Sequence, residues 1–189
     1  MIELQTKDID EFNLIYKNNK KYGFKGYISY YFYFSTRNRL FKKSSALIAV
    51  TNELVQYYSS FNKPTICIPN GIDIDKVPIL KTTGNNNNII KFFFIGTPGL
   101  PWHGVDLIEK IAEKLPEYEF HIVGLNGKSR LKNVFYYGFM SYNEYVKILK
   151  ECHICIGTLA LHRKNSKEAS PLKVREYLAH GFPTIIGYK

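Results

Sequence analysis

Tryptophan occurs once, methionine twice and cysteine three times in this chain of 189 residues, and acidic side chains are outnumbered by basic ones, 16 to 26. Each scarcity excludes something. Three cysteines, Cys67, Cys152 and Cys155, cannot make a disulfide framework and agree with a reducing compartment. No apolar run approaches the roughly 18 residues of a membrane span, and the N-terminus has no signal-peptide pattern, so cytoplasmic residence is expected. Blocks of like charge are also missing. The formal charge of +10 lies on scattered lysines with no recognition motif beside them, which argues against a nucleic-acid partner. Scattered charge needs no motif to be drawn to an anionic membrane surface, so peripheral membrane association stays open.

With 45% hydrophobic residues the chain is globular, and its length suffices for one good core or parts of two. From about residue 89 buried-strand runs alternate with helical patterns. Ile90–Ile95 reads as a strand ending in Gly96, and Val105–Leu115 carries apolar residues at helical spacing. Phe120–Val123 ends in Gly124 and Asn133–Tyr137 ends in Gly138, both as strands. Ser141-x-x-Glu144 is a capping box for a helix to about Lys150, followed by strands at Ile154–Ile156 and Thr184–Ile186. This alternation predicts an α/β fold, a Rossmann-like parallel sheet with ligands at the carboxyl ends of its strands. Before residue 70 the signals are thinner: a helical tendency over Arg37–Lys43, a short strand at Ala46–Val50, a helix opening at Thr51, and a strand at Ile66–Pro69. Tyr27–Phe34 is strongly aromatic and fits no single period; core is the favoured reading, over a surface that touches a membrane or an acceptor. Thr82–Asn88 reads as a solvated polar loop.

The most informative stretch is Glu168–Pro183. Ser170 is a good N-cap, Pro171 suits the first helical position, and Gly181 with Pro183 ends the helix. The N–H groups of Leu172 and Lys173 and the Lys173 side chain would then face an anion, with Glu168 just before them and Glu176 on the second turn. An anion site flanked by two hydroxyl-accepting carboxylates suits a sugar diphosphate.

With IPNGID at Ile68–Asp73, PWHGVDLI at Pro101–Ile108, IVG at Ile122–Gly124 and the SPLK…EYLA segment, residues 44–189 resemble a family-4 glycosyltransferase of the GT-B fold. The resemblance implies retaining transfer of a sugar from a nucleoside-diphosphate sugar, with no cofactor and no essential metal. It assigns Glu168 to the donor sugar, Glu176 to the ribose hydroxyls, and Ser170, Pro171, Leu172 and Lys173 to the diphosphate. It also assigns Gly96 and Gly104 to the glycine-rich first turn, and Gly138, Phe139 and Met140 to the turn beside the nucleobase. Gly124 joins them as a lining residue. Many relatives carry Arg and Lys in the first turn, where Thr97 and His103 stand here. Compensating charge for the leaving diphosphate would come from Arg163, Lys164, Lys173 or a protonated His103.

Two complete domains of this kind need roughly 300 residues. The expected organisation is therefore a remnant of the acceptor domain over residues 1–69 and a donor-binding domain over residues 70–189, incomplete at its C-terminus. The implied acceptor is a glycan or lipid-linked glycan. Together with lysine, asparagine and isoleucine usage typical of an AT-rich bacterial genome, this suggests surface-polysaccharide assembly at the inner face of the cytoplasmic membrane. The alternative is a non-catalytic nucleotide-sugar-binding subunit acting with a partner chain that supplies the acceptor domain.

Two other motifs are set aside. Cys152-His153-Ile154-Cys155 has zinc or redox spacing but only Cys67 remains to complete a metal site, so buried structural cysteines are expected. Gly124–Ser129 is two residues short of a phosphate loop and has no helix after it.

Overall fold

A computed structural model of the chain describes residues 1–17, 23–81 and 89–189; the Thr82–Asn88 run lies outside them. The chain divides into two compact units. One comprises Met1–Asn70, Leu161–Ser170 and Tyr188–Lys189; the other comprises Gly71–Ala160 and Pro171–Gly187.

The first unit holds a parallel three-stranded sheet in the order β1 (Ile2–Leu4), β2 (Leu47–Ala49), β3 (Thr65–Cys67). Helices α1 (Asp8–Phe12), α2 (Gly23–Lys43) and α3 (Asn52–Tyr57) complete it. Thr51 caps α3, its hydroxyl accepting from the Leu54 N–H at 3.3 Å. Leu4, Phe41, Leu47, Ala49, Val50, Leu54 and Tyr58 form the core. At its edge Asp8 accepts from Arg37 Nε at 2.6 Å, Arg37 Nη2 at 2.7 Å, the Tyr58 hydroxyl at 2.8 Å and the Tyr33 hydroxyl at 2.9 Å. Burial alone would raise the Asp8 carboxyl, but the hydrogen bonds from Arg37 and Tyr58 outweigh it and hold the group below the usual range.

The helical tendency read over Arg37–Lys43 is the last part of α2, which runs for 21 residues. The aromatic run lies inside the same helix, and there the core reading needs correcting. Tyr30 is buried, whereas Tyr27, Ile28, Tyr31, Phe32 and Phe34 are exposed. Aromatics occupy both faces of the helix, which is why the run shows no single period.

The second unit is a parallel five-stranded sheet in the order β6-β5-β4-β7-β8. Its strands are β4 (Lys91–Ile95), β5 (Glu119–Val123), β6 (Val134–Tyr136), β7 (Ile154–Ile156) and β8 (Thr184–Ile185), each within a residue or two of the sequence reading. Alternate residues of β4 face opposite layers, as the two-residue period requires. Phe92 and Phe94 pack with Phe120, Ile122 and the Ile108–Ala112 stripe of α4 (Val105–Lys114). Phe93 packs the other way with Tyr145 and Leu149 of α5 (Tyr142–Glu151) and Tyr177 of α6 (Leu172–Ala179). The result is a sheet covered on both faces, a Rossmann-like α/β layer. The capping box is present: the Ser141 N–H donates to the Glu144 carboxylate at 2.7 Å.

Cys152 and Cys155 both lie in the β4–α5–α6 layer, fully buried, and burial pushes the Cys152 thiol up to about 12. His180 and His121 are core histidines: His180 Nδ1 lies 2.7 Å from the Pro78 carbonyl, and His121 Nδ1 lies 2.7 Å from the Tyr137 hydroxyl.

Candidate functional site

In this strand order β5 and β6 lie on one side of β4, and β7 and β8 on the other. That reversal opens a crevice beyond the carboxyl ends of the central strands. A cleft of about 490 Å³ occupies it, wholly within the second unit. Ile95, Gly96, Thr97 and Pro98 line it after β4, Val123 and Gly124 after β5, and Phe139 and Met140 after β6. His103 comes from the turn before α4, and Pro171, Leu172, Lys173 and Glu176 come from the start of α6.

The floor requires small residues. Gly124 has φ +84°, and a Cβ there would stand 2.0 Å from the Gly96 carbonyl oxygen. A Cβ on Gly96 would stand 2.8 Å from His103 Nδ1. The two strand ends therefore approach closely and leave room above for a ligand.

Helix α6 begins at Leu172. The sequence places Ser170 at the N-cap and Pro171 at the first helical position; instead Pro171 holds extended backbone (ψ 134°) and precedes the first turn. The Ser170 hydroxyl is engaged elsewhere, accepting from the Asn70 N–H at 3.0 Å. The shift of one position keeps the Leu172 and Lys173 N–H groups in the first turn, where they have no intrahelical acceptor.

Lys173 is the most perturbed group in the cleft. Its Nζ donates to the Ile95 carbonyl at 3.0 Å and lies 4.1 Å from the centre of the Phe94 ring. Burial brings its ammonium down from 10.5 to about 7, so near neutrality the charged and uncharged forms coexist. Glu176 accepts a hydrogen bond from the Tyr145 hydroxyl, which fixes one carboxylate oxygen. Phe139 is 91% exposed, an apolar ring held in solvent at the rim.

Thus Gly96, His103, Gly124, Phe139, Met140, Pro171, Leu172, Lys173 and Glu176 meet around one cleft. Gly104 and Gly138 shape its turns: Gly104 (φ +74°) caps α4, and the Gly138 carbonyl accepts from the Gly124 N–H at 2.7 Å. Glu168, Arg163 and Ser170 belong to the first unit. There the Glu168 carboxylate accepts from the Glu53 N–H at 3.1 Å, while the Glu53 carboxylate accepts from the N–H groups of Lys167 (2.9 Å) and Glu168 (3.0 Å). Lys7 Nζ stands 2.8 Å from the same Glu53 carboxylate. This reciprocal bridge lines a second hollow, of about 550 Å³, together with His162, Asn165 and Lys189. Arg163 sits on the short turn Leu161–Lys164.

Sequence reasoning missed Tyr145 and the Ile95 carbonyl. Tyr145 sits on the buried stripe of α5 with a hydroxyl that must find a partner, the one signal that singles it out.

No protein-family model matches the chain, and neither does any curated protein. Solved structures do. TarM is similar with a TM-score of 0.55 and 17% identity over 80% of this chain. A TarM variant of S. aureus, solved with fondaparinux, alpha-GlcNAc-glycerol and UDP, gives 0.55 and 18% over 76%. HepE of Anabaena, solved with UDP and glucose, gives 0.53 and 19% over 76%. The chain spans 32%, 30% and 44% of those proteins respectively. At this identity the likeness is one of fold, and it places the chain among Rossmann-like α/β proteins.

Proposed function

We propose that the cleft of the second unit binds a nucleoside-diphosphate sugar, and that the chain is the donor-binding part of a retaining GT-B glycosyltransferase of family 4. The observation that carries this is the meeting of three features in one cleft: the start of α6, the desolvated Lys173 and the oriented Glu176 carboxylate. A diphosphate offers negative charge to the first and second, and ribose hydroxyls offer donors to the third. Phe139 offers its face to the nucleobase. The sequence motifs and the fold likeness to proteins solved with UDP support the same reading. Charge developing on the departing diphosphate would be met by α6, Lys173 and His103, without need of a metal. The acceptor would be a glycan or lipid-linked glycan in bacterial surface-polysaccharide or glycoconjugate assembly, on the cytoplasmic side of the membrane.

A second reading has its own observation. Glu168, expected to touch the donor sugar, bonds to the N-terminus of α3 within the first unit. A non-catalytic nucleotide-sugar-binding subunit acting with a partner chain fits that arrangement.

A thermal-shift panel of nucleoside diphosphates and their sugars, run with and without EDTA, tests the donor site. A ligand at about a hundred times its Kd should raise Tm by roughly 5–10 °C. Chelator should leave the shift unchanged, and Glu176→Ala should reduce it. If no nucleotide stabilises the protein, or if Glu176→Ala responds like the parent, the donor site is wrong.

A further inference from the structure

Helix α2 buries only a narrow line, Gly26, Tyr30, Arg37 and Phe41. On the side turned away from that line, Phe24, Tyr27, Ile28, Tyr31 and Phe32 fall within an arc of about 140° at 100° per residue. They line a shallow apolar groove of about 720 Å³ with Ser35. Phe24 is 80% exposed and Phe32 is 71% exposed. The bases Lys25, Arg39, Lys42 and Lys43 are exposed on the same side, and the helix contains no acidic residue.

We infer that α2 is a membrane-surface helix that lays its aromatic side into the headgroup region of an anionic bilayer. Phenylalanine and isoleucine reach the acyl boundary, Tyr27 and Tyr31 keep hydroxyls at headgroup level, and the four bases meet anionic lipid. At about 30 Å the helix has the length for a long contact. No helix among the described residues is long and apolar enough to cross a membrane, so α2 lies on the surface. Charge selects this occupant over a second copy of the chain. In an isologous contact the patch meets itself, so Lys25, Arg39, Lys42 and Lys43 would face their own copies with no acid on α2 to pair with. Lipid phosphate supplies the missing negative charge. Arg37 sets the presentation: its bond to Asp8 pins the opposite side of α2 to the first unit.

The test is co-sedimentation of the full chain with phosphatidylcholine vesicles, with and without phosphatidylglycerol, at low and high salt. No nucleotide is present, so the result is independent of the donor-site reading. Binding should require phosphatidylglycerol and weaken with salt. The combined Arg39→Gln, Lys42→Gln and Lys43→Gln variant should lose roughly a hundredfold in partitioning. Phe24→Ser with Phe32→Ser should also lose binding while the circular dichroism spectrum and Tm stay those of the parent, since both residues are exposed. Failure to bind anionic vesicles, or equal binding by either variant, would overturn the inference. So would a vesicle-free dimer, seen in sedimentation velocity, that Phe32→Ser dissociates.

Discussion

A lysine titrating near neutrality inside a cleft has consequences in two directions. In the folded chain Lys173 releases its proton near pH 7, whereas the unfolded chain holds it to about 10.5. Between those values the unfolded state binds more protons, so this group makes stability rise as pH climbs from 7 toward 10.5. Lys173→Met should therefore raise Tm at pH 7 and flatten that pH dependence, as thermal unfolding at several pH values would show. The same substitution should weaken nucleoside-diphosphate binding. On the proposed reading an entering diphosphate would restore the ammonium in the parent protein, so binding at pH 8 should take up a proton. Calorimetry in buffers of different ionisation enthalpy measures that uptake, and Lys173→Met should show none. A stabilising substitution that impairs binding is the mark of a site residue. Of this, the sequence shows the place of Lys173 in the first turn of a helix. It does not show the burial that lowers its ammonium, which arises only where the folded chain brings Lys173 against a strand 78 residues away, with Nζ at the Ile95 carbonyl.

Among the elements, helices and strands with a clear period were legible and those with two periods were not. The strands of the second unit could be read from residues such as Phe92–Phe94, buried on both sides and followed by glycines. Helix α6 starts one residue beyond the position that Ser170 and Pro171 signal, and the Ser170 hydroxyl accepts instead from the Asn70 N–H, 100 residues distant. Helix α2 hid its register because both faces are aromatic. What fixes the register is the Asp8–Arg37 pair. Arg37→Met leaves a buried carboxylate without its cation and should cost about 3–5 kcal/mol in denaturant unfolding. Because the Asp8 carboxyl is held below its ordinary value, the stability it contributes is present above pH 4 or so and is lost as pH falls through the folded value. The parent should therefore lose stability in acid more steeply than Arg37→Met does.

At the scale of the whole molecule, the chain divides its expected machinery between two units. The α6 start, Lys173, Glu176, Phe139 and the glycine turns gather in the second unit, while Glu168 and Arg163 lie in the first. A contiguous reading of the sequence does not reveal that Leu161–Ser170 groups with residues 1–70, because the bonds that hold it there are long-range. Lys164 to Glu11 and Glu168 to Glu53 are examples. On the proposed reading, donor binding is a property of the second unit. The proposed phosphate and base roles can be tested separately: Phe139→Ala should weaken a nucleoside diphosphate by roughly 5- to 100-fold while leaving inorganic pyrophosphate unaffected. The most direct test of the donor site is the amide NMR spectrum of the full chain titrated with a series of nucleoside diphosphates. The largest shifts are expected at Gly96, Thr97, Gly124, Leu172 and Lys173. Shifts confined to residues around Glu53 and Lys167, or none with any nucleotide, would contradict it.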